Sequence, residues 1–395
     1  MTIQDQFPEV HWVWKGAISF VYEVHPRIVV KVPKAGEFER EQFQKELKIY
    51  EIFLQQPPCP SIVQCFLYAD NGIFLEYMRG TTPYESLWSR IQSNYIRDQH
   101  TMIVTKVERL EPLALRKKWM TDLAQAVVFL ESLNLAHGDL RPENILLDRN
   151  RLKLSDFDCT AEIGTDFEAC MAPYGRILSD REPDEGRRGS SGFLGSRTEQ
   201  FALGSLYYLI NYGVEVYGDQ CLTEDPKEHG PKVVELLQNM DFPKLNSDPL
   251  IDEIIDKCWH NKYKTIADLA SNIETLVSGC PNARGSNAKT NPIRRWIMVM
   301  GHITQRFWRI FWHWWAMVLY CNGKPTNAEV SNNSEPQGYD RGMHPDNLTE
   351  DFVWKRALCQ NLQRRGLLQL LSSGAPEHLG FTLEWYRHTV CGGDT

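Results

Sequence analysis

The stretch "HGDLRPENILLD", residues 137–148, decides how this chain is read. Asp139 and Asn144 stand five positions apart in a loop that runs into the apolar run "ILLD". A turn, "RNR", leads to a second apolar run, "LKLSDFD", expected as a strand ending at Asp156. A hairpin of that shape brings Asp139, Asn144 and Asp156 together at one end. One carboxylate to orient an attacking hydroxyl, with an amide and a second carboxylate as hard oxygen ligands for Mg²⁺, suits phosphoryl transfer. The plainer reading of the same residues is a polar hairpin with capping carboxylates.

Upstream, Lys31 lies on "RIVVKVP", flanked by apolar residues, where an unpaired ammonium would be costly. Glu46, in "FQKELKIY", is its natural partner. From about Trp12 to Tyr77 the pattern is strand-like with one helical interruption. "WVWKGAISFVYEV" and "RIVVKVP" alternate around an "HP" turn. "GEFEREQFQKELKIYEIFLQ" reads as an amphipathic helix with Phe43, Leu47 and Tyr50 on one face, closed by "PPCP". Helical patterns then dominate, in "ALRKKWMTDLAQAVVFLESLNLA", "TEQFALGSLYYLINYG" and "DPLIDEIIDKCW". A small β-rich part followed by a larger helical part predicts a two-lobed α+β fold with a cleft between the lobes.

The bulk numbers agree. With 395 residues there is ample chain for a buried core, and 42% hydrophobic with 24% charged residues is ordinary for a soluble protein. A net charge of −8 argues against nucleic-acid binding, which needs a broad positive field. The polar, acidic start "MTIQDQFPEVHW" predicts no signal peptide. Ten scattered cysteines without a C-x-x-C pair fit reduced thiols in the cytoplasm or nucleus.

Taken in order, these motifs make the region from Trp12 to Val277 resemble the eukaryotic protein kinase domain. "WKGAISFVYEV" resembles the glycine-rich loop, with Gly16 kept, Ser19 in place of the third glycine, and Val21 where an adenine-covering valine belongs. The resemblance implies Lys31 on the α- and β-phosphates of ATP, with Glu46 as its helical partner. "FLEYMRG" is similar to the hinge, implying Leu75 as gatekeeper and backbone contacts to adenine from Glu76 and Met78. "HGDLRPEN" is similar to H-R-D-L-K-P-E-N, which implies Asp139 as catalytic base and Asn144 as a metal ligand. Arg141 stands where Ser/Thr kinases place a lysine near the transferring phosphate. "SDFD" is similar to D-F-G and implies Asp156 as the principal Mg²⁺ ligand, with Mn²⁺ as its substitute. The implied partners are ATP and a protein hydroxyl. "SDFDCTAEIGT" and "PEHLGFTLEWYRH" further resemble a divergent kinase-like lineage common in filamentous fungi.

The departures matter as much. Gly138 replaces an arginine that binds an activation-loop phosphate in many kinases, a change to regulation that spares the chemistry. Asp158 replaces the D-F-G glycine, losing tolerance of positive φ and adding a carboxylate near the metal site. Trp14 replaces the first loop glycine. No A-P-E follows "SSGFLGSRTEQ", and "CWHNKYKTIADL" lacks the arginine that would pair with its glutamate, so no lone charge is left buried. Glu199 stands where an aspartate normally anchors the catalytic loop. Lys31, Asp139 and Asp156 are all retained, which favours an active Ser/Thr protein kinase. Two alternatives stay open. "HGDL" also resembles aminoglycoside and choline phosphotransferases, and Asp158 with the glycine-poor loop would suit a non-catalytic scaffold. Ser190, Ser191 and Thr198, beside Arg187 and Arg188, read as phosphosites or as a solvated loop.

The expected organisation is an N-terminal segment (1–11), a kinase-like domain (12–277, lobes meeting near 77–78), a linker (278–295), a Trp-rich amphipathic helix (296–321), a stretch of disordered composition (322–347) and a helical extension (348–395). Two arginines inside the Trp-rich segment would each cost about 2.5–3.5 kcal/mol in a spanning helix. That predicts instead a helix lying at a membrane surface or packed on protein. The extension is expected to dock on the kinase lobe or to form a small appendix.

Overall fold

The β-branched and aromatic runs near the N-terminus form one five-stranded antiparallel sheet in the computed structural model, which describes residues 3–78, 86–167, 170–179, 182, 186, 189–278, 344 and 349–384. The expected linker, Trp-rich helix and 322–347 stretch lie outside these residues, Ser278 and His344 apart. The strands are β1 (His11–Lys15), β2 (Ser19–His25), β3 (Ile28–Pro33), β4 (Cys65–Ala69) and β5 (Gly72–Glu76), in the spatial order β1-β2-β3-β5-β4. Packing begins ahead of Trp12: a short helix α1 (Ile3–Gln6) opens a segment in which Ile3, Phe7 and Val10 are buried.

Helix α2 (Glu37–Leu54) interrupts the sheet as the periodicity predicts. Glu37 and Glu39 sit in its first turn, where the helix dipole favours negative charge. Phe43, Leu47, Tyr50 and Leu54 bury one face at i, i+4 and i+3 spacing. Glu46 falls inside that apolar stripe, only 1% exposed, so it needs a cation from the sheet.

The larger, helical part begins with α3 (Leu87–Gln92) and a hairpin of β6 (Tyr95–Arg97) and β7 (Val104–Val107), neither of which the helical patterns announced. Helix α4 (Leu113–Ser132) leads through β8 (Leu135–Ala136) to the hairpin of β9 (Ile145–Asp148) and β10 (Arg151–Leu154), and then to β11 (Ala161–Glu162), which pairs with β8. The expected second strand of that hairpin stops at Leu154, short of Asp156. Ser155 N turns back to Asn144 O at 3.0 Å, and Asp156 adopts φ +65°, which takes the chain out of the ladder.

Helices α5 (Ser196–Tyr212), α6 (His229–Gln238), α7 (Pro249–Trp259) and α8 (Ile266–Ser278) complete this part. Helix α5 is buried nearly throughout, its polar first turns included, as a central core helix. Asp248 caps α7 through Leu250 N at 3.0 Å. The Glu131 carboxylate closes the start of α8 through Ile266 N at 2.9 Å. The Gln200 amide ties α5 to the turn after α7: it donates to Asn261 Oδ1 at 2.6 Å and accepts from Tyr263 N at 3.2 Å.

The C-terminal extension docks on the β-rich part. Helix α9 (Glu350–Arg364) places Phe352 against Phe66 of β4, with ring centres 5.7 Å apart. Helix α10 (Leu367–Leu371) packs Leu368 over Gly72, where any Cβ would fall 2.4 Å from a Leu368 methyl.

Candidate active site

Lys31 points inward from β3 because its strand neighbours Val30 and Val32 are fully buried on the alternate face and the strand is covered on both sides. Its Nζ lies 2.6 Å from Glu46 Oε2 on α2 and 2.6 Å from Asp156 Oδ1. Burial alone would lower the ammonium's pKa, but Asp156 and Glu46 outweigh it and hold it well above its ordinary value. One cation cannot neutralise two carboxylates equally. Burial pushes the deeper one, Glu46, up to about 7 against the opposing pull of Lys31. Burial also acts on Asp156, yet Lys31 first, and then Arg141, bring it below the usual carboxylate range. Val21 of β2 pairs across the sheet with Lys31 and is half-buried.

A second cluster sits on the loop after β8. Asn144 Nδ2 donates to Asp139 Oδ2 at 2.8 Å and to Asp139 O at 2.9 Å. Arg141 Nε approaches the same Oδ2 at 3.1 Å. Cys170 Sγ donates to the other oxygen, Oδ1, at 3.3 Å. Burial, with Asp139 beside it, keeps that thiol protonated. Nothing in the sequence singled out Cys170; its role is visible only when the segment 170–179 folds back over the loop.

The backbone of this loop is fixed from beneath. Glu199, in the first turns of α5, accepts from His137 N at 2.9 Å and Gly138 N at 3.3 Å. Burial raises its pKa to about 7, the two amides pulling the other way and Glu131 adding a little. The ring of His137 accepts at Nδ1 from Asp139 N at 3.3 Å, so Nε2 carries the hydrogen toward Ser155 O at 3.1 Å. Burial lowers its pKa, so the ring is neutral. Phe157 joins the two clusters: it is fully buried, its ring 5.0 Å from Phe53, 5.5 Å from Tyr50 and 5.2 Å from His137.

The departures take on structural meaning. Gly138 has φ +77°, and a Cβ there would lie 2.6 Å from Cys159 O. The loop therefore requires glycine where an arginine was expected to have been lost for regulatory reasons alone. The left-handed residue of "SDFD" is Asp156 and not Asp158, so the missing glycine leaves no backbone conflict at Asp158. Burial and the neighbouring Asp156 raise the Asp158 pKa. Of the activation-segment hydroxyls, Ser191 and Thr198 are buried, and Thr198 Oγ1 is occupied by Gly195 N at 3.0 Å. Neither is presented as a phosphosite.

Gly16 and Ser19 close the β1–β2 turn through Gly16 N to Ser19 O at 2.9 Å. Gly16 has no positive φ, and a Cβ would meet nothing nearer than 3.4 Å. Trp14 is half-exposed on β1. Glu76 ends β5 with its carboxylate turned to Lys153 of β10, at 2.5 Å, and Met78 follows it, buried. Leu75 is likewise buried.

Comparison with known proteins agrees with this geometry. A family model described as "Protein kinase domain" matches residues 16–280. Serine/threonine-protein kinase nekl-2 of Caenorhabditis elegans is 25% identical over 174 residues, covering 41% of this chain and 46% of its own. CBL-interacting serine/threonine-protein kinases 20 and 10 of Arabidopsis thaliana are 28% and 24% identical, covering 41% and 65% of this chain and 40% and 53% of their own. The chain thus spans about half the length of these relatives.

Proposed function

We propose that this chain, which belongs to the protein kinase domain family, transfers the γ-phosphoryl group of ATP to a serine or threonine hydroxyl of a protein. The observation that carries the reading is Lys31 Nζ at 2.6 Å from both Glu46 and Asp156, an arrangement that ties α2, the sheet and the "SDFD" segment into one working geometry. The names of the relatives support the Ser/Thr assignment.

In this reading Lys31 holds phosphate oxygens, and Glu46 keeps its ammonium from swinging away. Asp139 Oδ1 receives the hydrogen bond of the acceptor hydroxyl, which requires Cys170 to yield that position, and takes up its proton. Asn144 and Arg141 hold Oδ2 so that the carboxylate keeps its aim. Arg141 supplies positive charge beside the transferring group. Gly16, Ser19 and Val21 cover the nucleotide, and backbone groups of Glu76 and Met78 meet adenine.

The family implies a divalent metal in general, and the donors present fit Mg²⁺ or Mn²⁺. The Asn144 amide spends its NH₂ on Asp139, which leaves its carbonyl oxygen as the remaining acceptor, and the Asp156 side chain is 37% exposed. Such a cation, when bound, neutralises charge on the phosphate oxygens. Asp158, which with the glycine-poor loop supports a scaffold reading, carries no backbone penalty, and that part of the support falls away.

The test is transfer of label from γ-labelled ATP with Mg²⁺ to a generic basic protein, by wild type and by Lys31→Met. Labelling by wild type alone supports the assignment. Absence of labelling with either cation, on any protein acceptor, refutes it.

A further inference from the structure

We infer that the C-terminal segment 349–384 is a positioning element for the turn that covers the phosphates, an inference that rests on the nucleotide reading of the cleft. The turn between β1 and β2 is poor in glycine, with Ala17 and Ile18 following Gly16. It is pinned by Lys34, whose backbone N donates to Ile18 O at 2.9 Å and whose Nζ reaches Ala17 O. Ile18 itself is buried. Such a turn cannot find its place by backbone freedom, so its height above the cleft is set by the two strands that carry it.

The C-terminal segment grips both of those strands. Glu384 N donates to Trp12 O at 2.9 Å, adding a main-chain bond to the free edge of β1. The Glu384 carboxylate meets His11 Nδ1 at 3.2 Å, and Glu377 lies 3.9 Å from Lys15, next to the turn. On β2, the ring of Phe381 packs on Tyr22 with centres 5.3 Å apart, and both are buried. Between the arms, Trp12 and Phe20 meet edge to face at 6.0 Å. The segment, the hairpin and Lys34 therefore form one rigid support for a turn whose sequence departs from the usual flexible design.

At the opposite edge of the sheet the same segment packs Phe352 on Phe66 of β4. That contact stabilises the fold without touching the hairpin, which separates positioning from mere stability. The experiment compares full-length Phe381→Ala with full-length Phe352→Leu, measuring the KM for ATP, kcat, displacement of a fluorescent ATP analogue, and melting temperature. Phe381→Ala is expected to raise the KM and dissociation constant for ATP about five- to ten-fold while kcat changes less than about two-fold. Phe352→Leu is expected to lower the melting temperature with ATP affinity unchanged. If Phe381→Ala does not fold, Phe381→Leu, which keeps apolar volume but loses the ring contact, makes the comparison. Equal ATP affinity in wild type and the Phe381 variant overturns the inference alone. Wild-type protein that binds no ATP overturns the nucleotide reading and the inference with it.

Discussion

Adding a single methyl group at Gly138 is expected to destabilise the protein substantially. The residue has φ +77°, and the new Cβ would lie 2.6 Å from Cys159 O. A side chain in the left-handed region costs about 1–2 kcal/mol. Relieving the contact needs a backbone shift, at about 1–3 kcal/mol for overpacking in a tight interior. The shift cannot stay local, because Gly138 N and His137 N both bond to the buried Glu199 carboxylate. The sum is a loss of about 2–5 kcal/mol for Gly138→Ala, with Gly138→Arg at least as large. Urea denaturation measures it, and a thermal melt should fall by about 2–4 °C per kcal/mol, the scale for domains of 150–250 residues. Gly16→Ala serves as the internal control: with no positive φ and no contact under 3.4 Å, it should change stability by less than about 0.5 kcal/mol. A Gly138→Ala protein as stable as the control would refute the reasoning.

The buried carboxylates give further predictions. Glu199 has its pKa raised to about 7 by burial, so the folded form holds its proton more tightly than the unfolded chain. Its contribution is therefore present at acid pH and lost as pH rises from about 4.5 to 7, at a cost of about 3 kcal/mol. Between pH 5 and pH 7.5, denaturant midpoints should show Glu199→Gln gaining on wild type by about 2–2.5 kcal/mol; an unchanged difference contradicts the assignment. Lys31→Met leaves Glu46, 1% exposed, without its cation, and should cost about 3–5 kcal/mol by the same denaturation. Adding Glu46→Leu to Lys31→Met should recover most of that loss.

How far the fold was legible depends on how local the signal was. The periodicity of Phe43, Leu47 and Tyr50 announced α2, and the cost of an unpaired Lys31 among apolar strand residues announced its pairing with Glu46. The "HGDLRPEN" run placed Asn144 against Asp139 because the two stand five residues apart in one loop, and a short regular hairpin carries the chain on toward Asp156. Cys170 was not legible, since its contact with Asp139 spans 31 residues of irregular chain. The requirement for glycine at position 138 was hidden for the same reason: it arises from a carbonyl 21 residues away. That the loss of glycine at Asp158 carries no backbone cost was not legible, because the left-handed turn falls at Asp156, two residues earlier, and only backbone geometry reveals that. The β6–β7 hairpin is a short pair whose residues carry no strong alternation. The grip of Phe381 and Glu384 on the first two strands joins the two ends of the described chain, which no local pattern can encode.

Asp139→Asn is the most direct test of the central claim. The substitution keeps the shape of the side chain and its contact distance to Asn144 and Arg141, but removes the capacity to take up a proton. The variant and wild type would be compared for binding of Mg²⁺·ATP by calorimetry and for transfer of label to a basic protein. The account predicts ATP binding retained and transfer lost by about 10²–10⁴-fold, the contribution of a positioned general base. Transfer by Asp139→Asn at the wild-type rate would contradict it.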